Sequence, residues 1–76
     1  MVELVKYIAS SLVEKPEAVD VREVENEEGI VIELRVDPED MGKVIGKQGR
    51  TARAIRTLLG AVSAKTKKRV VLEILE

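Results

Sequence analysis

The chain has 76 residues, and 13 Lys and Arg against 14 Asp and Glu give a formal net charge of −1. That length leaves room for one small domain, residues 1–76, and the absence of Cys and His excludes disulfides, Cys/His zinc sites, thiol nucleophiles and imidazole bases together. With 45% apolar and 36% charged residues the chain can build a core and stay in water, and no apolar run approaches the roughly 18 residues of a bilayer span. Met1 is followed by Val2-Glu3-Leu4, without the basic start and apolar stretch of a secretion signal, so the expected location is the cytoplasm.

Val5, Ile8, Ala9, Leu12 and Val13 recur at three- and four-residue steps and predict an amphipathic helix over about residues 2–14. Pro16 stops it by pushing Lys15 out of helical angles. Val19 and Val21 alternate and Val24 falls out of phase, which predicts a strand over about 18–25 with a bulge near Arg22-Glu23. Asn26-Glu27-Glu28-Gly29 is a turn, and Ile30, Ile32, Leu34 and Val36 then alternate through the clearest strand of the chain. Asp37-Pro38-Glu39-Asp40 is a helix start: Asp37 caps free N–H groups, Pro38 suits the first helical position, and Glu39 and Asp40 favour the positive helix end. That helix is short, because Gly46 follows soon.

A further helix is predicted from about Arg50 to Ala64, with Ile55, Leu58, Leu59 and Val62 on one side and Arg50, Arg53 and Arg56 on the other. Gly60 inside it costs about 1 kcal/mol relative to Ala and points to a close approach or a local break. Lys65, Lys67, Lys68 and Arg69 form a basic turn, and Val70, Leu72 and Ile74 alternate in a closing strand. The order α-β-β-α-α-β makes the fold α+β, a two-layer arrangement. The hairpin is antiparallel, and the helical crossover suits parallel neighbours. A three-stranded mixed sheet with three helices on one face follows.

The net charge conceals a split. Residues 1–40 carry 12 acidic and 4 basic side chains, or −8, whereas residues 41–76 carry 9 basic and 2 acidic ones, or +7. Such asymmetry points to an anionic partner; neutralisation of one half by the other across the fold is the alternative. Within the basic half, Val44-Ile45-Gly46-Lys47-Gln48-Gly49-Arg50 sets two glycines three apart between a short helix and the start of the next. Glycine lets backbone approach a ligand, and a helix N-terminus favours phosphate. Lys43, Lys47 and Arg50 can each neutralise a phosphate. A Walker A loop is excluded, because Gly42 lies one residue too close to Gly46 and Gln48 stands where Ser or Thr is required. The dinucleotide pattern G-x-G-x-x-G fails on spacing and because this loop follows a helix. A plain tight turn between two helices remains the alternative.

The segment 44–50, set between two helices and flanked by strands, resembles the GXXG loop of a KH domain. The extra helix and strand ahead of the β-α-α-β unit resemble the type II KH fold. Residues 38–50 and Ala54-Ile55-Arg56-Thr57-Leu58 are similar to the small bacterial single-KH proteins of the KhpA type, and the resemblance covers the whole chain. It implies a protein, not an enzyme, that grips single-stranded RNA and uses no cofactor, metal or small-molecule substrate. It further implies work beside a larger KH-containing partner, KhpB, as an RNA chaperone in post-transcriptional control of cell shape, elongation or division. Carried over, Gly46 and Gly49 admit the phosphates, Lys47 and Gln48 form the exposed tip, and Val44 and Ile45 floor the base groove or join the core. Arg50 and Arg53 line its mouth, with a solvated helix face as the alternative for Arg53 and as the reading of Arg56, and Lys43 flanks it. With Tyr7 as the sole aromatic, bases are read by an aliphatic groove rather than by stacking. One short site binds weakly, so a homodimer or a KH partner is expected to supply a second. The competing reading is a protein-interaction adaptor docking through the acidic half or a strand edge, motivated by Glu23, Glu25, Glu27 and Glu28.

Overall fold

Alternation settles the sheet first. In β2 (Gly29–Arg35), Ile30, Ile32 and Leu34 are buried on one face, and Val31 and Glu33 point to the other. The computed structural model describes residues 1–75. It orders the sheet β1-β2-β3, with β1 (Asp20–Asn26) antiparallel to β2 and β3 (Arg69–Leu75) parallel to it. Three helices, α1 (Val2–Leu12), α2 (Met41–Ile45) and α3 (Arg50–Thr66), cover one face. The expected order and mixed sheet are therefore found. The core lies between the layers: Val5 and Ala9 from α1, Val44 from α2, Ile55 and Leu59 from α3, and Ile32, Leu34 and Leu72 from the sheet.

Several details depart from the sequence reading. Helix α1 ends at Leu12, and Val13 is already extended (φ −93°, ψ 161°). The reason is distant in sequence: the Asp40 carboxylate accepts the N–H groups of Glu14 and Lys15, which a longer helix would have used internally. No bulge occurs at Arg22-Glu23, since Asp20 to Asn26 pair one for one with Arg35 to Gly29. Val24 is out of phase because it faces away from the helices and stands opposite Val31. Helix α3 runs two residues beyond its expected end. Lys67 closes it in the left-handed region (φ 60°), with its N–H bonded to the Ser63 carbonyl at 2.9 Å. Leu58, expected on the core side of α3, is 49% exposed. Gly60 lies in an unbroken helix with open space beside it, and nothing in the structure explains it.

The helix start is as expected. Asp37 Oδ1 accepts the Glu39 N–H at 2.9 Å, and Pro38 opens a 3-10 turn (Pro38–Asp40) that leads into α2. No helix among the described residues is long and apolar enough to cross a membrane.

Candidate nucleic-acid interface

Three of the four loop residues, Gly46, Gln48 and Gly49, have positive φ. Gly46 closes α2 at φ 79°, ψ 168°, a region that a side chain does not tolerate. Gln48 follows at φ 56°, ψ 27° and Gly49 at φ 73°, ψ 14°. A Cβ on Gly46 would strike the Thr51 side chain and lie 2.7 Å from the Thr51 N, whereas one on Gly49 would meet nothing. The first glycine is thus demanded by both angle and space, and the second by angle alone. The loop is tied by Gly46 N–H to the Gly42 carbonyl (2.9 Å) and by Gly49 N–H to the Gly46 carbonyl (3.0 Å). Among the described residues the N–H groups of Lys47 and Gln48 have no backbone partner. The tip therefore presents two free backbone donors, a lysine and the exposed side chain of Gln48, which accepts a bond from Arg50 at 3.3 Å.

Beside the loop lies a cleft of about 440 Å³. Met41 and Ile45 of α2, Gly49, and Ala52 and Arg56 of α3 form one wall, and Leu72, Glu73 and Ile74 of β3 form the other. Strand β3 has one neighbour, β2, so its free edge borders the cleft. Apart from Arg56 and Glu73 the lining is apolar, and the sole aromatic, Tyr7, sits on α1 at 72% exposure. The position of β3 at this edge was not readable from alternation, which is why Met41, Ala52, Leu72 and Ile74 were missed. Arg56, read as solvated helix face, also lines the cleft.

The nine expected site residues separate here. Gly46, Lys47, Gln48, Gly49 and Arg50 form the loop and the start of α3, and Ile45, 38% exposed, borders the cleft. Arg53 is exposed on α3. Val44 is fully buried in the core, so it supports Ile45 from behind and offers no surface to a ligand. Lys43 turns toward α1: its Nζ lies 3.1 Å from Glu14 Oε1 and 3.5 Å from Asp40 Oδ1. The bond to Glu14 raises its pKa, against burial, and both carboxylates add attraction. Lys47, Arg50, Arg53 and Arg56 form no ion pair among the described residues. The positive face open to an anion therefore runs from the loop along α3, while Lys43 is held on the other side by Glu14 and Asp40.

The sequence is similar to known proteins over nearly its whole length. The sequence model of a family described as "KhpA/KhpB, KH domain" matches residues 2–74. The chain is 61% identical over 75 residues to "RNA-binding protein KhpA" of Caldanaerobacter subterraneus subsp. tengcongensis, covering 99% of this chain and 100% of that protein. It is 63% identical over 75 residues to the protein of the same name from Clostridium perfringens, with the same coverage. The identity to that of Aquifex aeolicus is 58% over 74 residues, 97% of this chain and 94% of that protein.

Proposed function

The chain belongs to the KhpA/KhpB family of KH domains, and from that premise we propose that it is a non-enzymatic, cytoplasmic RNA-binding protein that holds single-stranded RNA. Its G-K-Q-G loop grips the sugar-phosphate backbone and its aliphatic cleft receives the bases. The observation that carries this is the loop itself, with two free N–H groups and unpaired cations at the mouth of an aliphatic cleft. The carboxylates with which a nuclease could be built are engaged in holding the chain: Asp37 caps Glu39, Glu39 pairs with Lys15, and Asp40 holds residues 14 and 15. One cleft with few phosphate contacts binds weakly. A second KH unit, from a homodimer or a larger KhpB-type partner, raises the affinity and links the protein to post-transcriptional control of cell shape, elongation or division.

The test is the double substitution Lys47→Asp, Gln48→Asp. Aspartate tolerates the left-handed angles at position 48, so the circular dichroism spectrum is expected to be unchanged. Affinity for a short single-stranded RNA is expected to fall by about ten-fold or more, because a cation is lost and two anions face the phosphates. Unchanged affinity in a folded variant rejects the loop as the site. Pull-down of a protein partner that survives ribonuclease treatment favours the adaptor reading instead.

A second comparison separates cations by their commitments. Lys43→Ala is expected to leave RNA affinity within about two-fold, since that charge already faces Glu14 and Asp40. Arg53→Ala and Arg56→Ala are each expected to weaken binding and to reduce the slope of log affinity on log salt by about one. Salt titrations of the three variants measure this directly. Equal losses from all three would mean that Lys43 abandons its carboxylates for RNA.

A further inference from the structure

Two residues at the far end of α3 run against helix preference. Gly60 stands in an unbroken stretch of the helix, where an added Cβ would meet nothing, so no contact of the fold requires its missing side chain. Lys67 closes the helix at φ 60°, an angle that glycine adopts without strain and lysine does not. The helix thus lacks a side chain where it favours one and carries one where it favours none. Both positions fall on one edge. Arg56, Gly60 and Lys67 follow one another at steps of four and seven residues, which stacks them along the same side of α3. That is the side on which Arg56 lines the cleft. Lys67 lies about 16 Å beyond Arg56 along the helix axis. Both are exposed and form no ion pair among the described residues. Lys68, the next residue, is committed to Glu25. The sequence holds no carboxylate from Met41 to Leu72, and the one acidic residue of the cleft, Glu73, belongs to the β3 wall.

We propose that bound RNA does not end at the cleft but continues along this edge of α3, its sugar-phosphate backbone passing over Gly60 to Lys67. The charges on the two walls set its orientation. Phosphates lie on the α3 side, beside Arg56, and bases lie toward β3, where Glu73 repels a phosphate. At position 60 a side chain would stand between the helix and the strand of RNA crossing it, and glycine clears that space. At position 67 the ammonium meets a phosphate that neither the loop nor Arg56 reaches, and backbone strain in a non-glycine residue gathers at functional positions of this kind. Lys65 offers the contrast. It lies seven residues after Leu58, on the opposite edge of α3, so the same basic turn carries one lysine on the RNA side and one off it. The inference deepens the RNA reading above and rests on it. A KH loop clamps about four nucleotides, and the added edge takes the site to roughly twice that length.

Fluorescence anisotropy on randomised single-stranded RNA oligomers of about four and about ten nucleotides, with protein up to about 1 mM, tests this. Each variant is compared with wild type on the same oligomer, which cancels the extra binding registers of the longer one. Lys67→Gly removes the charge and suits the left-handed angle. It is expected to weaken binding of the longer oligomer by about three- to ten-fold, to lower its salt slope by about one, and to leave the shorter one within about two-fold. Gly60→Gln places a good helix former at an open position. It is expected to raise the melting temperature and yet to weaken the longer oligomer in the same selective way. Lys65→Ala is expected to leave both within about two-fold. Unchanged affinity of either Lys67→Gly or Gly60→Gln for the longer oligomer overturns the proposal. So does an equal loss from Lys65→Ala, which would mean diffuse attraction by the whole turn. A loss by Lys67→Gly that is as large on the short oligomer as on the long one overturns it as well. The cleft is judged separately, by the short oligomer and the Lys47→Asp, Gln48→Asp variant. A failure there leaves no RNA site to extend, whereas a Lys67→Gly indifferent to length leaves the cleft standing.

Discussion

Gly46→Ala is expected to lower the unfolding free energy by about 3 kcal/mol, combining backbone strain with overpacking. Gly49→Ala is expected to lower it by only about 1 kcal/mol, the cost of a left-handed residue. The two glycines look equivalent as a motif but differ in what surrounds them. At Gly46 the backbone stands at φ 79°, ψ 168°, and an added Cβ would lie 2.7 Å from the Thr51 N in the first turn of α3. Relief requires either α2 or the start of α3 to move, and both line the cleft. At Gly49 the Cβ points into open space. RNA affinity should follow: Gly46→Ala loses it even below the melting temperature, whereas Gly49→Ala keeps most of it unless the phosphate itself occupies that space. Denaturant titrations and RNA binding at a temperature where both variants are folded check the pair. Equal stabilities would mean that the loop relaxes freely around position 46 and that its geometry is not preset.

What was legible in the chain depended on how far apart the causes lie. The alternation of Ile30, Ile32 and Leu34 and the cap at Asp37 are local, and both appear where expected. The loop glycines are local too. The cleft is not, because Leu72 and Ile74 become its wall only when β3 takes the free edge beside β2. Val24 suggested a bulge because its partner, Val31, sits across the hairpin on the uncovered face. Leu58 fitted the apolar side of a helical wheel, yet the sheet fills only the arc held by Ala52, Ile55 and Leu59. The charge split had two readings, and both are partly realised. Lys43 and Lys68 of the basic half are neutralised by Glu14, Asp40 and Glu25 of the acidic half. Lys47, Arg50, Arg53 and Arg56 carry no such partner among the described residues, and they gather at the loop and along α3. Position in the fold, rather than total charge, leaves cations available to an anion.

Asp40→Asn is expected to lower the melting temperature by roughly 5–10 °C at neutral pH and to flatten the acid limb of the stability curve. Asp40 is 2% exposed, and its two oxygens accept the Glu14 N–H at 3.3 Å and the Lys15 N–H at 3.1 Å. Burial pushes the carboxyl up, but those two bonds and the ammonium of Lys43 outweigh it and hold the group below its ordinary 3.8. The unfolded chain therefore takes up this proton more readily than the folded one. The stabilisation is complete above the ordinary carboxylate range and is lost as pH falls through the depressed folded value. Wild type and variant should differ by a constant amount from pH 7 to about 5 and converge below about 4. An asparagine keeps one acceptor oxygen but not the charge, so a difference that persists unchanged into acid would assign the effect to packing. The consequence reaches the RNA site because Asp40 is the residue from which α2 starts. By holding residues 14 and 15 it fixes the end of α1 against α2, and five residues later the chain emerges as Ile45 and Gly46 at the cleft. Melting curves across pH, read beside RNA affinity at pH 7, separate an anchor for the loop from an anchor for the fold alone: only the first lowers affinity in a protein that is still folded.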